Sequence, residues 1–291
     1  MADAPSPPRK TLKQRALRLA VVFAVALIAA WVVLMFFERS MIFLPSPAPT
    51  SGWPPEEPGV TLRELTLTAE DGQELHAVYG SVPEAPPTRP VLLFCHGNAG
   101  NLADRYYFLR ELVPFADVLL FDYRGYGKNT GSPSEHGLYA DAQAAWSWLT
   151  TEHGVAPSRI VIFGRSLGGG PAAELATRVP AAGLILDSTF TSIPAMAQRV
   201  FPFVPRFLVS TKFDTLSKLP RITCPLLVIH SDVDEVIPYA MGRELFEAAS
   251  EPKTWHGIEG AGHNETLQIG GRPYLEALRS FCQSCVPEPA K

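Results

Sequence analysis

The sequence predicts an α/β domain whose central sheet is mainly parallel. After residue 60, short β-prone runs alternate with longer helical runs, which is the order typical of βα units. Several short runs, including 91–95 and 160–163, are apolar at every position, as strands buried on both faces require. The pentapeptide Gly-Arg-Ser-Leu-Gly at 164–168 follows directly after one such run and leads into a glycine-rich helix start. Together these patterns favour a sheet flanked by helices, with chemistry at the carboxyl ends of its strands.

The individual elements follow from the same patterning. Two early strands, near 61–68 and 73–80, are joined by Asp71-Gly72, a turn pair typical of β-hairpins. The later strands are expected at 91–95, 118–121, 160–163, 183–187, 226–229 and 253–258. Helices are expected near 101–113, near 135–152, from the pentapeptide to about 178, near 239–250 and from about 273 to 285, with a short helical region at 190–219. The catalytic domain is therefore placed at 61–286, with a tail at 287–291.

The N-terminal region predicts a membrane anchor. Residues 1–18 carry five basic side chains and one aspartate, a net charge of +4. The uncharged apolar run at 19–37 follows, and as a helix it would span roughly 28 Å, close to the thickness of a bilayer core. A cleaved signal peptide is the alternative, but the run exceeds the usual core length and no Ala-x-Ala site follows it. The positive charge predicts a cytoplasmic N-terminus and a catalytic domain on the periplasmic or other extracytoplasmic side.

A proline-rich juxtamembrane linker is expected at 38–60, between the anchor and the folded domain. Because the whole chain has a net charge of −4, the part after residue 18 carries −8, which argues against nucleic-acid binding. The Cys282-x-x-Cys285 pair has no second pair nearby, so a zinc site is not expected. It is either a disulfide, which export would favour, or two thiols.

Ser166, at the centre of the pentapeptide, is the candidate nucleophile. A serine in a tight strand-to-helix turn needs glycine two residues to either side, and this sequence has glycine at both positions. A serine hydroxyl also needs a base, usually a histidine that is oriented by a carboxylate. His263 lies in a glycine-flanked loop after the last strand and is the expected base. His96, which ends an earlier strand, is interpreted as a residue that shapes its loop.

The acid has four candidates. Asp232, Asp234 and Glu235 lie on the loop after the strand at 226–229, and Asp187 ends the preceding strand. Asp234 is favoured, because a few loop residues beyond the strand would carry its carboxylate back towards the base. Asp232 has an alternative role in stabilising a turn, and Asp187 in binding local amides.

Two backbone N–H groups are expected to form an oxyanion hole for the developing negative charge. One is that of Leu167, directly after the nucleophile, and the other is that of Asn98, in the loop that follows His96-Gly97. The glycines at 122–127 do not form a dinucleotide fingerprint, and no Lys-Ser/Thr pair completes a P-loop at 168–170. A serine, a histidine and a carboxylate act without a metal or cofactor, so neither is expected.

Five motifs together resemble the Bem-type membrane-anchored α/β-hydrolases: His96-Gly97-Asn98-Ala99-Gly100-Asn101, Asp122-Tyr123-Arg124-Gly125-Tyr126-Gly127, the pentapeptide with Gly169, Asp187-Ser188-Thr189-Phe190 and Gly262-His263. The segment at 38–45 is similar to that family's juxtamembrane segment. The resemblance implies the α/β-hydrolase fold and a serine hydrolase with Ser166 as nucleophile, Asp234 as acid and His263 as base. Some members of the family are thioesterases that remove fatty acyl groups from protein cysteines.

The expected function is therefore hydrolysis of acyl esters or thioesters at a membrane, on a small-molecule or lipid-like acyl substrate or an acylated protein. A peptidase of the same fold and a non-catalytic scaffold protein are the alternatives. The segment at 190–219 is too short for a large cap domain. Its apolar stretch at 201–209 is expected to line an acyl pocket, to lie against the bilayer or to pack in the core.

Overall fold

The computed structural model of the chain describes residues 11–49, 53–86 and 88–286. The first ten residues of the predicted basic terminus and the predicted tail at 287–291 lie outside this range. The chain divides into two compact units, with the boundary between Ile42 and Phe43. The first unit contains the helix α1, Leu12–Ile42, which includes the apolar run. Within the described residues, no helix combines the length and the apolarity needed to cross a membrane.

The second unit is built on one large sheet. A separate pair of two-residue strands is formed by β1 Leu44–Pro45 and β5 Ala99–Gly100. The strands of the large sheet are β2 Thr61–Thr68, β3 Glu74–Ser81, β4 Val91–Cys95, β6 Asp117–Phe121, β7 Ile160–Arg165, β8 Gly183–Asp187, β9 Leu226–Ser231 and β10 Lys253–Ile258. Its helices are α2 Tyr106–Leu112, α3 Glu135–Ser147, α4 Gly169–Ala176, α5 Ile193–Val200, α6 Tyr239–Ala248 and α7 Thr266–Cys285. The eight-stranded sheet has the order β10-β9-β8-β7-β4-β6-β3-β2, and β1 pairs with β5.

The prediction of a mainly parallel sheet is confirmed. Only β2 with β3 and β3 with β6 pair antiparallel, and the remaining neighbours in the sheet are parallel. The strands β4, β7, β8 and β9 are buried at every position, which explains their continuous apolar sequences. The hairpin turn at Asp71-Gly72 also forms, and Gly72 adopts a φ of 82° there.

Near the C-terminus the structure differs from one sequence-based expectation, the start of the last helix, and contains one of the two alternatives left open for the cysteine pair. The last helix begins at Thr266 rather than near Pro273, because Gly271, with φ 49°, allows a kink that joins a preceding helical turn to the main helix. Cys282 and Cys285 are both thiols, three residues apart on this helix, so the disulfide alternative does not form. Burial of both side chains raises the pKa of each thiol.

Candidate active site

The predicted site residues follow three parallel strands at one edge of the sheet. Ser166 directly follows β7, Asp234 lies three residues after β9, and His263 lies in the loop between β10 and α7. Because parallel strands present their carboxyl ends at the same edge, three residues that are far apart in the chain meet there.

The turn at Ser166 is held by close contacts that leave no room for side chains on either side. Ser166 has a φ of 52°, a left-handed conformation that is rare for residues other than glycine. A Cβ on Gly168 would lie 2.0 Å from the carbonyl oxygen of Cys95, and one on Gly164 would lie 2.5 Å from Ala172 Cβ. Helix α4 can therefore approach β4 and β7 only because these two residues are glycines.

Ser166, His263 and Asp234 form a continuous hydrogen-bonded chain. His263 Nε2 lies 3.0 Å from Ser166 Oγ, and His263 Nδ1 lies 2.8 Å from Asp234 Oδ2. All three residues are at most 9% exposed. Since an ionised carboxylate can only accept hydrogen bonds, the ring proton belongs on Nδ1, and Nε2 is free to accept the serine proton. The arrangement can therefore remove a proton from the Ser166 hydroxyl.

The Asp234 carboxylate is fixed by its own loop. Asp234 Oδ1 accepts hydrogen bonds from the backbone N–H groups of Val236, at 2.9 Å, and Ile237, at 2.7 Å. Burial raises the pKa of Asp234, but the hydrogen bond and charge of His263 together with the Ile237 N–H outweigh it, so the pKa lies below its ordinary value. The carboxylate is thus ionised at neutral pH and oriented towards the imidazole.

The other three candidate acids contact neighbouring groups instead of the imidazole. Asp232 Oδ1 accepts from the Gly260 N–H at 2.8 Å, and Glu235 Oε2 accepts from the His263 N–H at 2.9 Å. Asp187 is fully buried and accepts hydrogen bonds from Tyr274 Oη, at 2.9 Å, and from Ser188 Oγ, at 3.0 Å. Asp232 and Glu235 therefore tether the loop that carries His263, although neither of them touches its ring.

The two candidate oxyanion donors lie on segments next to the serine, one directly after it and one in the loop that follows β4. Leu167 is in the first turn of a short helix that begins at Ser166, where backbone N–H groups have no partner within the helix. A Cβ on Gly97 would lie 3.8 Å from Ser166 Oγ, so the loop with Asn98 passes close to the nucleophile. The His96 side chain is buried, and its Nδ1 lies 2.7 Å from the Gly97 carbonyl oxygen, a contact that fixes the conformation of this loop.

Arg165 is the main contributor to the site that sequence reasoning missed. It is 3% exposed, and its guanidinium donates to the His263 carbonyl oxygen at 2.7 Å. The same group lies 3.4 Å from Asp187 Oδ2. Thr189 Oγ1 also donates to the Ser166 carbonyl oxygen, at 2.6 Å. A Gly-x-Ser-x-Gly pattern accepts any residue at its second position, so it does not show whether an arginine there is buried or exposed. No sequence signal therefore identified Arg165.

Most of the apolar stretch at 201–209 lies outside the core, although Val209 at its end is buried, with 5% exposure. The side chains of Phe203 and Phe207 are 97% and 81% exposed. Such exposure also excludes both rings from the wall of an enclosed acyl pocket. Of the three expectations for this stretch, only contact with an external surface fits these two residues.

Comparisons with known proteins agree with the fold. The family model described as alpha/beta hydrolase fold matches residues 90–216. An uncharacterized protein of Mycobacterium tuberculosis is 36% identical over 272 residues, which cover 92% of this chain and 96% of that protein. Alpha/beta hydrolase domain-containing protein 17B of Homo sapiens is 38% identical over 200 residues, which cover 68% of this chain and 67% of that protein.

Solved structures show the same architecture. An esterase of Pyrococcus furiosus superposes with a TM-score of 0.68 at 18% identity, covering 84% of this chain and 98% of the esterase. An alpha-beta hydrolase of Vibrio vulnificus superposes with a TM-score of 0.63 at 24% identity, covering 76% of this chain and 81% of its own. With the sheet order and the matched relatives taken together, this chain belongs to the α/β-hydrolase family.

Proposed function

We propose that the protein is a serine hydrolase that cleaves acyl esters or thioesters through an acyl-enzyme. The observation that carries this proposal is the chain of hydrogen bonds from Ser166 through His263 to Asp234, which provides a nucleophile, a base and an orienting acid in one site. The esterase from Pyrococcus furiosus with the same fold supports an ester substrate. The resemblance to Bem-type hydrolases supports a thioester as the alternative leaving group.

The reaction follows from the positions of these groups. Ser166 Oγ attacks the acyl carbonyl carbon while His263 Nε2 takes its proton, and Asp234 stabilises the imidazolium that forms. The oxygen of the tetrahedral intermediate accepts hydrogen bonds from the N–H groups of Asn98 and Leu167. His263 then protonates the departing alcohol or thiol. Water attacks the acyl-enzyme by the same proton transfers in reverse, which releases the acid and restores the serine.

A fluorophosphonate probe tests this proposal, because it labels only an activated serine. We expect the full chain to be labelled, and Ser166→Ala to lose the label completely. A folded wild-type protein that takes no label would contradict the proposal and favour a scaffold role. Turnover of matched ester, thioester and amide substrates then identifies the leaving group, and a preference for the amide would indicate a peptidase.

We propose further that the apolar run at 19–37 anchors the protein in a membrane, with the N-terminus in the cytoplasm. The length of the uncharged run and the +4 charge before it support this topology. Extraction at alkaline pH tests the anchor, and reporters fused at the C-terminus test the orientation. Release of the full chain by alkali would contradict the anchor, and a working cytosol-only reporter would contradict the orientation.

A further inference from the structure

The short segment immediately after α1 pairs with the loop that carries the predicted oxyanion donor Asn98. We call residues 43–47 the brace and residues 96–101 the oxyanion loop. Within the brace, β1 pairs in parallel with β5 of the oxyanion loop. The Leu44 N–H donates to the Asn98 carbonyl oxygen at 3.0 Å, and the Ser46 N–H donates to the Gly100 carbonyl oxygen at 3.1 Å.

Side-chain contacts fix the brace in place. Asn101 Nδ2 donates to Ser46 Oγ and to the Pro47 carbonyl oxygen, both at 2.9 Å. The Gly127 N–H donates to the Ser46 carbonyl oxygen at 3.1 Å. Phe43 is 5% exposed and its ring packs edge-on against Phe213, with the centroids 6.2 Å apart. The brace is therefore held between the oxyanion loop and the loop that contains Gly127.

Contacts from the brace and from the side chains of His96 and Tyr126 hold the peptide groups on both sides of Asn98. Because a peptide group is planar and trans, holding a carbonyl oxygen also orients the N–H of the next residue. The Gly97 carbonyl is held by His96 Nδ1, at 2.7 Å. The Asn98 carbonyl is held by the Leu44 N–H, at 3.0 Å, and by Tyr126 Oη, at 2.8 Å. Asn98 thus lies between two fixed peptide groups, which is the preorganisation that an oxyanion donor needs.

We propose that the brace is a positioning element for the oxyanion donor Asn98, so that the chain just after α1 contributes to catalysis and is more than a linker. This proposal rests on the proposed serine hydrolase function. It predicts that loss of the brace lowers turnover, while loss of sequence before Phe43 does not.

Proline substitutions in the full chain test the brace, because proline has no N–H to donate. Leu44→Pro and Ser46→Pro each remove one of the two backbone N–H groups that the brace donates to the oxyanion loop. Ser46→Pro also removes Ser46 Oγ, which accepts from Asn101. Ala48→Pro is the matched control, since it adds a proline just beyond the brace. Tyr126→Phe is a second kind of variant, which removes the other donor to the Asn98 carbonyl and leaves the brace backbone unchanged.

We expect Leu44→Pro and Ser46→Pro to lower kcat for a short soluble ester by about tenfold or more, with KM within about threefold. Tyr126→Phe should lower kcat in the same way but less, and Ala48→Pro should stay within about twofold of wild type. The brace proposal would be overturned if both brace variants matched Ala48→Pro in kcat, or if kcat fell only in proportion to the folded fraction measured by thermal unfolding.

Amide hydrogen exchange separates this proposal from the proposed function. Faster exchange at residues 97–101 in Leu44→Pro is expected even in a protein that shows no turnover. If the wild-type protein took no fluorophosphonate label, the proposed function would be contradicted, but the exchange measurement would still test the brace. Unchanged exchange in the oxyanion loop would overturn the brace itself.

A second, independent observation concerns α5 and the residues between it and the buried Phe213. We call residues 193–212 the lobe. The Ile193 N–H donates to the Lys212 carbonyl oxygen at 2.8 Å, so the two ends of the lobe are joined at its base. The lobe follows β8, next to the strand that carries Ser166, and Thr189 just before it donates to the Ser166 carbonyl oxygen. The lobe therefore starts beside the nucleophile.

The surface of the lobe combines exposed aromatic rings with positive charge. Phe203, Phe207 and Val200 are 97%, 81% and 59% exposed. The lobe contains Arg199, Arg206 and Lys212 but no aspartate or glutamate, although the chain after residue 18 carries a net charge of −8. Exposed aromatic side chains on a segment whose charged residues are all cationic suit the interface of an anionic bilayer, where the rings enter the acyl region and the cations contact phosphates.

We infer that the lobe inserts Phe203 and Phe207 into an anionic membrane surface, which places the active site at the lipid–water interface. Tryptophan fluorescence in vesicles tests this without any need for activity. Full-length Phe203→Trp and a control, Ile269→Trp at a 54% exposed position on α7, are reconstituted in phosphatidylglycerol vesicles with brominated acyl chains.

The signal of each introduced tryptophan is the fluorescence of the variant minus that of the wild type. We expect the bromolipid to quench this signal at least about threefold more at position 203 than at position 269. Adding Arg199→Glu and Arg206→Glu should reduce this difference, and phosphatidylcholine vesicles should reduce it as well. Equal quenching at the two positions, or none at position 203, would overturn the inference.

Discussion

Ser166 occupies a backbone conformation that costs on the order of 1–3 kcal/mol for a residue with a side chain. The conformation persists because its surroundings fix it from several sides. Its carbonyl oxygen accepts from Thr189, and the Gly168 backbone packs against the Cys95 carbonyl. The strained turn directs the Ser166 hydroxyl towards His263. A relaxed continuation of the strand would direct it elsewhere.

At the same scale, the geometry separates Asp234 from Asp187, two of the four carboxylates that the sequence leaves as candidates. Asp234→Asn should lower kcat by about three to four orders of magnitude, because an amide can donate to Nδ1 and hold the ring in the wrong tautomer. Asp187→Asn, whose carboxylate contacts Tyr274 rather than the imidazole, should retain far more activity. Steady-state kinetics on one ester compares the two variants, and the reverse order would move the acid role to Asp187.

The lowered pKa of Asp234 predicts how stability depends on pH. A carboxyl group whose pKa is depressed by folding stabilises the folded state above its unfolded pKa, and this contribution is lost as pH falls through the folded value. The difference in unfolding free energy between wild type and Asp234→Asn should therefore be largest above about pH 5 and shrink below about pH 4. Urea unfolding from pH 3 to pH 7 measures it, and a difference that does not change with pH would contradict this assignment.

At the scale of elements, the site depends on ties between loops that follow different strands. Arg165, at the end of β7, donates to the His263 carbonyl in the loop after β10 and lies beside Asp187 at the end of β8. One buried guanidinium thus joins the ends of β7 and β8 to the loop after β10. The Glu235 carboxylate adds a further tie, from the loop after β9 to the His263 N–H.

This arrangement predicts that Arg165 positions His263. Arg165→Lys keeps a positive charge near Asp187 but lacks the forked guanidinium, so we expect kcat to fall about tenfold with little change in KM. Arg165→Met should also lower the unfolding free energy, by about 3–5 kcal/mol, because it leaves a buried carboxylate without its charged partner. Kinetics and urea unfolding on both variants separate the two effects. A lysine variant with wild-type kcat would show that the tie is only structural.

At the scale of the whole molecule, the division after Ile42 separates the helix from the catalytic unit. The catalytic unit has its own core, which is formed by β-strands and the helices packed on them. A chain that begins at Phe43 should therefore keep fluorophosphonate labelling within about twofold of the full chain. A chain that begins at Ala48 lacks the brace and should label more slowly. Loss of labelling in the chain that begins at Phe43 would show that the second unit does not fold or function without the helix.

The parts of the site that could be predicted from sequence are those with local signals. Glycines two residues away mark Ser166 as the candidate nucleophile, and the loop after the last strand marks His263 as the candidate base. Asp234 could be favoured but not separated from Asp232 and Glu235, because three carboxylates within four residues give the same local pattern. Arg165 and the brace carry no local signal, since their partners lie about 100 and 50 residues away.

The sequence by itself determined the alternation of strands and helices, the parallel sheet and the tight turn at Ser166. Those features depend on residue composition and periodicity over a few neighbours, which physical propensities translate directly into structure. Only the tertiary structure decided which carboxylate faces the imidazole, which segment braces Asn98 and which phenylalanines face outwards. These depend on distances between residues far apart in the chain, and packing of the whole domain sets such distances.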